Sequence, residues 1–125
     1  ICPAHASQIA ALAALSPEGR AELDAHRAVY AENRRIVLAG LAAAGLTQSA
    51  PADGAFYIYV DVSAYTDDSL ALSAEILAEA GVAVTPGLDF DKTRGARFLR
   101  LSYARGTDEI AEGVARLSAF FAARR

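Results

Sequence analysis

The chain has 125 residues, of which 54% are hydrophobic and 22% charged, and its formal net charge is −3. This length accommodates one domain with a single buried core, and the composition excludes wholesale disorder. The 12 basic residues are interspersed with 15 acidic ones, so no basic surface stripe is expected that could neutralise the phosphate backbone of a nucleic acid. No apolar run approaches the roughly 20 residues of a membrane helix. We therefore expect neither nucleic acid nor membrane as a partner.

Two helices are predicted in the first third of the chain. Residues 4–15 are rich in strong helix formers. Ser16 and Pro17 then start a second helix, because serine is a good N-cap and proline suits the first helical position. Apolar residues at helical spacing extend this long helix to about Ala44, and Gly45 is a natural terminator.

Three short strands are predicted in the second half of the chain, at residues 55–62, 81–85 and 97–104. In the first strand, Phe56 alternates with Ile58 and Val60 toward one face, whereas polar residues occupy the other face. Packing in the core is therefore the first explanation for Phe56.

Two further helices complete the predicted elements. One begins at the capping residues 66–68 and stops at Gly81, and the last begins at the cap Thr107. Arg124 and Arg125 suit the negative end of the last helix dipole. The predicted fold class is α/β: a two-layer sandwich of a small sheet with helices packed on it, preceded by a long connecting helix.

Motifs for nucleophilic catalysis, phosphate binding and metal binding are missing from the sequence. His5 and His26 both lie in predicted helices near the N-terminus, away from any serine or cysteine nucleophile motif. Cys2 and His5 supply too few ligands for a metal site. Lys92, the only lysine, lies in a polar loop and is interpreted as a solvated residue, not a Schiff-base lysine.

The composition also bears on the origin and location of the chain. A single cysteine fits a reducing compartment, so we expect a cytoplasmic protein. The sequence contains no methionine, and a fragment of a longer polypeptide explains that more simply than processing does.

Arg100 is the residue whose surroundings most clearly require a partner. It lies in the third predicted strand between Leu99 and Leu101, and arginine is almost never fully buried unless paired. Three alternatives follow: an internal ion pair with Asp61 on another strand, a charge that protects an edge strand, or a ligand carboxylate that matches the guanidinium fork.

Three motifs stand along the chain in an order that resembles one family, the class I/II (fold-type I) pyridoxal-phosphate aminotransferases. The motifs match the small C-terminal domain of these enzymes, in the aspartate-aminotransferase-like branch. They are a strand entry at Pro51, Gly54, Phe56 and Tyr57, a segment at Gly81, Val82, Val84, Pro86, Gly87 and Phe90, and a strand at Arg100, Leu101, Ser102, Tyr103 and Ala104.

The resemblance implies roles for individual residues and segments. Arg100 matches the arginine that binds the α-carboxylate of the amino-acid substrate, and Phe56 matches a phenylalanine near it. Pro86 and Gly87 belong to a segment near the active-site entrance. Residues 1–15 resemble the tail of a preceding large domain, and residues 16–125 resemble the small domain with its connecting helix.

The resemblance also implies a parent enzyme, a homodimer that exchanges an amino group between an amino acid and a 2-oxo acid with pyridoxal 5'-phosphate. The Schiff-base lysine and the phosphate-binding residues would lie outside this chain, which would hold no catalytic, cofactor-binding or metal-binding residue and be inactive alone. Two alternatives stay open: a lyase or decarboxylase with the same fold and cofactor, and a stand-alone amino-acid-binding module.

Overall fold

Two helices form the N-terminal third of the computed structural model, which describes residues 2–124. Helix α1 spans His5–Ala14 and α2 spans Pro17–Ala43. The Ser16 hydroxyl oxygen accepts a hydrogen bond from Gly19 N at 3.1 Å, which confirms the predicted start of α2. Gly45 follows α2 with a φ of 81°, as expected for a terminating glycine.

Every residue of α1 is exposed, whereas α2 buries one stripe. The buried side chains of α2 are Asn33, Val37 and Leu41. Their spacing of four residues places them on one face of the helix, as the apolar periodicity predicts. Helix α2 therefore packs on the rest of the described chain from its middle to its C-terminal end.

The sheet has three antiparallel strands in the order β1–β3–β2. Strand β1 spans Tyr57–Asp61, β2 spans Thr85–Pro86 and β3 spans Phe98–Ser102. Strand β3 is central, so that Arg100 lies opposite Tyr59 on one side and opposite Thr85 on the other.

The prediction of a strand over residues 81–85 is wrong except at its last residue. Gly81 adopts a left-handed conformation with a φ of 66° and ends the preceding helix, and the ladder with β3 begins only at Thr85. The two valines favour a strand by propensity, but propensity does not supply a pairing partner. Pro86 extends β2 at the sheet edge, where a missing N–H is tolerated.

The two remaining helices are α3, Ser69–Ala80, and α4, Thr107–Ala122. Asp68 caps α3 by accepting hydrogen bonds from Leu70 N and Ala71 N at 3.1 and 3.0 Å, as predicted. The predicted cap Thr107 is wrong by one residue. Gly106 occupies the N-cap of α4, and its N–H donates to the Glu109 carboxylate at 3.3 Å.

The end of α4 has the basic residue that its dipole favours. Arg124 donates to the Phe120 carbonyl at 3.3 Å and pairs with Glu79 of α3 at 2.8 Å. Arg125, which the dipole argument also includes, lies outside the described residues, and so does the first residue of the predicted segment 1–15.

One apolar cluster joins the helices to one face of the sheet. Ile58, Val60 and Leu99 are at most 1% exposed, and they belong to the same cluster as Leu117 and Phe121 of α4. The alternate residues of β1 and β3 point to the opposite face and are partly exposed. The two-layer α/β fold class is therefore confirmed, with one face of the sheet left open.

Within residues 2–124, none of the helices has the length and apolar character needed to cross a membrane.

Candidate functional site

Arg100 occupies the middle of the open face of the sheet. Its Cζ atom lies 5.3 Å from the centroid of the Tyr57 ring and 4.5 Å from that of the Phe90 ring. Its Nη2 atom donates a long hydrogen bond of 3.4 Å to the Thr85 hydroxyl. The guanidinium is thus held by two aromatic faces and one hydroxyl group.

The guanidinium of Arg100 has no anionic partner among the described residues. Its Nε atom is buried and makes no hydrogen bond there. A charged group that is partly withdrawn from water is unfavourable unless it is paired. This deficit is what a bound carboxylate would correct.

Two of the three alternatives for Arg100 are wrong. Asp61 lies opposite Phe98, not Arg100, and its carboxylate accepts a hydrogen bond from Ser63 N at 2.7 Å. No ion pair joins Asp61 to Arg100 in the part of the chain that the structure describes. The edge-charge explanation also fails, because β3 is the central strand. A ligand carboxylate is the alternative that remains.

Phe56 lies beside this site and not in the core. It is 46% exposed, because Ala55 before it has a φ of 61° and β1 begins only at Tyr57. The prediction of core packing is therefore wrong, since the alternation that holds for Ile58 and Val60 does not extend back to residue 56. The Phe56 ring meets Tyr57 edge to face at 5.6 Å, and Tyr57 in turn contacts Arg100.

A second aromatic pair supports the loop that carries Phe90. The Tyr59 and Phe98 rings stack at 4.8 Å, and the Tyr59 hydroxyl donates to the Gly87 carbonyl at 3.4 Å. Burial, followed by the nearby Asp91 charge, raises the pKa of Tyr59, so its phenol stays protonated at neutral pH. A Cβ at Gly87 would lie 2.6 Å from the Gly95 carbonyl oxygen, so this close approach requires glycine.

Two neighbours of Arg100 were not identified from the sequence. Thr85 is the last residue of a predicted strand and Phe90 belongs to a motif, and neither position by itself indicates contact with Arg100. Phe90 follows the short 3₁₀ helix Gly87–Asp89, and its N–H donates to the Gly87 carbonyl at 2.9 Å. The periodicity of a strand carries no information about such a turn, and the pairing of Thr85 with Arg100 depends on the order and register of the sheet.

Lys92 does not have the surroundings of a Schiff-base lysine. Lys92 is exposed in the turn after Phe90, and the neighbouring cation Arg94 pairs with Asp91 at 3.0 Å. A lysine that forms a Schiff base is normally desolvated or placed beside unpaired cationic groups. In the same residues, no group of three histidine, cysteine or acidic side chains is arranged to hold a metal ion.

Comparison with known proteins gives the following similarities. Residues 1–117 match the family model described as aminotransferase class I and II. The valine–pyruvate aminotransferase of Mycobacterium tuberculosis is 48% identical over 120 residues, which cover 96% of this chain and 31% of that protein. The aspartate/prephenate aminotransferase of Thermus thermophilus is 38% identical over 120 residues, which cover 93% of this chain and 29% of that protein.

The fold is matched equally well. A crystal structure of an aminotransferase from Mycobacterium tuberculosis superimposes with a TM-score of 0.92 at 47% identity, over 98% of this chain and 32% of that one. The chain thus spans about a third of the length of the proteins that it matches.

Proposed function

The chain belongs to the class I and II aminotransferase family, and from that premise we propose that it is the small domain that binds the substrate carboxylate in a pyridoxal-phosphate-dependent aminotransferase. One observation supports the proposal above all others. Arg100 lies on the open face of the sheet with two aromatic neighbours and no anionic partner among the described residues. A planar guanidinium binds a carboxylate through two parallel hydrogen bonds, which fix the orientation of the amino acid as well as its position.

The parent enzyme of this proposal transfers an amino group between an amino acid and a 2-oxo acid. Pyridoxal phosphate, when bound, supplies the electron sink for that chemistry. Because Lys92 is exposed, we assign the Schiff-base lysine and the phosphate-binding residues to the part of the parent outside this chain, and the chain alone is then inactive. Residues 1–15 are assigned to the preceding large domain and residues 16–125 to the small domain.

Three further properties belong to the same proposal. Phe56 borders the bound amino acid, because it reaches Arg100 through the Tyr57 ring. The parent is a homodimer, and it is located in the cytoplasm. A lyase or decarboxylase with the same cofactor would use the same carboxylate site, so kinetics with a 2-oxo acid acceptor separates that alternative from the transaminase.

Replacement of Arg100 in the full-length parent tests the proposal. Charge-assisted hydrogen bonds contribute about 1.5–3 kcal/mol each, so Arg100→Ala is expected to lower kcat/KM at least about a hundredfold. Arg100→Lys should recover only part of that loss, because an ammonium group cannot reproduce the fork. Both variants should unfold at nearly the wild-type temperature, since no described carboxylate depends on Arg100.

Arg97→Ala is the matched control for this experiment. Arg97 is an exposed arginine of the turn just before β3, and its removal should leave kcat/KM unchanged. The proposal is wrong if Arg100→Ala unfolds easily while its folded fraction retains the wild-type kcat/KM. That outcome would make Arg100 a structural residue.

A further inference from the structure

The loop before β1 contains an unusual backbone conformation. Ala55 has a φ of 61°, and it is the one described residue other than glycine with a positive φ. A side chain crowds the backbone in this left-handed region, so such a residue persists only where its surroundings enforce it. The sequence gives no local reason for it, because Ala55 follows a glycine that could have taken this conformation without strain.

Tyr103 supplies the contacts that enforce this conformation. Its hydroxyl group donates to the Ala55 carbonyl at 3.1 Å and lies 3.5 Å from the Gly54 carbonyl oxygen. Its backbone N–H donates to the Phe56 carbonyl at 2.8 Å. Tyr103 therefore fixes the consecutive carbonyl groups of Ala55 and Phe56, and these groups define the direction in which the chain leaves Ala55.

Tyr103 is itself held firmly. Its side chain is 2% exposed, and its carbonyl accepts a hydrogen bond of 2.9 Å from Asn33 Nδ2 on α2. The same Nδ2 atom donates to the Arg105 carbonyl at 2.7 Å, and the Tyr30 ring meets the Tyr103 ring edge to face at 6.5 Å. Tyr103 is therefore a fixed point to which the loop is attached.

The attached loop leads directly to the Arg100 site. Phe56 and Tyr57 follow Ala55, their rings meet at 5.6 Å, and Tyr57 lies over the Arg100 guanidinium at 5.3 Å. A change in the backbone at Ala55 moves Phe56 first and Tyr57 next, and these rings border Arg100.

From this arrangement we propose that the Tyr103 hydroxyl is a positioning group for the carboxylate site: it holds Ala55 in the left-handed conformation and so sets the places of Phe56 and Tyr57 beside Arg100. Tyr103 does not touch the ligand in this proposal, which rests on the proposed function of Arg100. A purely structural Tyr103 would stabilise the fold without affecting the binding of a carboxylate.

The experiment removes the hydroxyl group alone. In Tyr103→Phe the ring still fills the core, but Ala55 loses the contact that enforces its conformation. In the full-length parent, KM for the amino acid should rise about fivefold, as expected for one net hydrogen bond, with little change in kcat. In the 125-residue chain, NMR should show that Ala55 leaves positive φ. The resonances of the Arg100 side chain should also shift, because its guanidinium lies over two aromatic rings.

Two further variants separate positioning from stability. In the double variant Tyr103→Phe with Ala55→Gly, glycine adopts positive φ without steric cost, so KM should return toward the wild-type value. Tyr65→Phe is the matched control, since it removes a comparable hydroxyl contact of 3.3 Å to the Ala44 carbonyl, outside the Arg100 site. It should lower stability but leave KM unchanged.

The outcomes are distinguishable. The proposal fails if Tyr103→Phe and Tyr65→Phe behave alike, with lowered thermal stability and an unchanged KM, or if glycine at residue 55 restores nothing. If Tyr103→Phe does not fold, Ala55→Val is tested with Tyr103 intact, and this variant must raise KM and shift the Arg100 resonances. Unchanged KM and unchanged resonances would contradict the proposal. If Arg100→Ala leaves kcat/KM intact, the proposed function fails, whereas the NMR shifts still decide whether Tyr103 positions the loop.

Discussion

Asn33 shows how much one buried side chain can hold in this molecule. It is fully buried on α2, and its single Nδ2 atom donates to the Tyr103 and Arg105 carbonyls. Its Oδ1 atom is buried without a partner among the described residues. The side chain therefore stabilises the end of β3 through its amide nitrogen alone.

Asn33→Leu keeps the volume of the side chain but removes both donors. Each carbonyl left unpaired in the interior costs about 1–3 kcal/mol, so we expect a clear loss in the free energy of unfolding, measured by urea denaturation. Arg35→Ala on the same helix breaks only an exposed pair with Glu32 and should change stability far less. Equal stability of Asn33→Leu and the wild type would show that the two carbonyls find other partners.

Single residues also show the limits of sequence interpretation. Arg100 could be identified because a charge within an apolar strand is unusual. The partner of Arg100 could not be identified, because the sequence does not reveal that Asp61 lies opposite Phe98 and not opposite Arg100. The alternation predicts Phe56 in the core, because a period of two cannot reveal that the strand starts at Tyr57, two residues later than predicted and after the positive φ of Ala55.

At the scale of elements, the contact between α2 and α4 depends on a glycine. A Cβ on Gly40 would overlap Cγ1 of Val114, and the Ser118 hydroxyl donates to the Gly40 carbonyl at 3.3 Å. The two helices are thus so close at residue 40 that no side chain fits between them there. Valine is stiff about χ1 and cannot easily move aside.

Gly40→Ala is therefore expected to destabilise the fold although alanine favours helices. The gain in helix propensity is about 1 kcal/mol, and overpacking costs about 1–3 kcal/mol. Adding Val114→Ala should relieve the clash, so that the pair of substitutions costs less than the sum of the single ones in a double-mutant cycle. Additive effects in thermal and urea unfolding would contradict the close packing.

The turn at residues 91–94 should make part of the stability dependent on acid. Hydrogen bonds from the backbone N–H groups of Arg94 and Thr93, and then from the Arg94 side chain, hold the pKa of Asp91 below its ordinary value of 3.8. A lowered pKa means that this stabilisation is fully present above the ordinary value and is lost as the pH falls through the pKa in the folded state. Glu18 and Glu32, whose pKa values are also lowered, act in the same direction.

Asp91→Asn isolates the contribution of this turn. The variant should be less stable than the wild type at neutral pH, and the difference in thermal stability should shrink as the pH falls below about 4. A difference that stays constant down to acid pH would show that the Asp91 charge adds nothing to the turn.

The sequence predicts the four helices better than the strands. Helices have local signals, such as the caps at Ser16 and Asp68 and the glycines that end α2 and α3. The bounds of strand β2 depend on which residues pair with β3, and this pairing is a property of the whole sheet. For the same reason the order β1–β3–β2, which places Arg100 in the centre, could not be derived from the three strands alone.

At the scale of the whole molecule, α1 is the element with the least support. Ile9, Leu12 and Leu15 are 53%, 68% and 63% exposed, which is unfavourable for side chains of this size. We expect the 125-residue chain to associate with itself through α1 as its concentration rises. Sedimentation velocity over a range of concentrations measures this.

Changing Leu12 and Leu15 to lysine should abolish the association. Leu70→Lys is the control, because Leu70 is similarly exposed, at 61%, but lies on α3. The expectation is wrong if the chain is a monomer at every concentration and keeps its thermal stability after residues 1–12 are deleted.

The central strand also limits how this chain can change over evolution. In β3, odd- and even-numbered residues face opposite ways: Leu99 and Leu101 lie against the helices, and Arg100 lies on the open face. Inserting or deleting one residue just before Arg100 would reverse this parity from that point on, which would turn the guanidinium toward the helices and Leu101 toward the open face. Unless a β-bulge absorbs the extra residue, a length change here is compatible with this arrangement only in steps of two residues. The number of residues in β3 is therefore constrained in addition to the identities of Arg100 and its apolar neighbours.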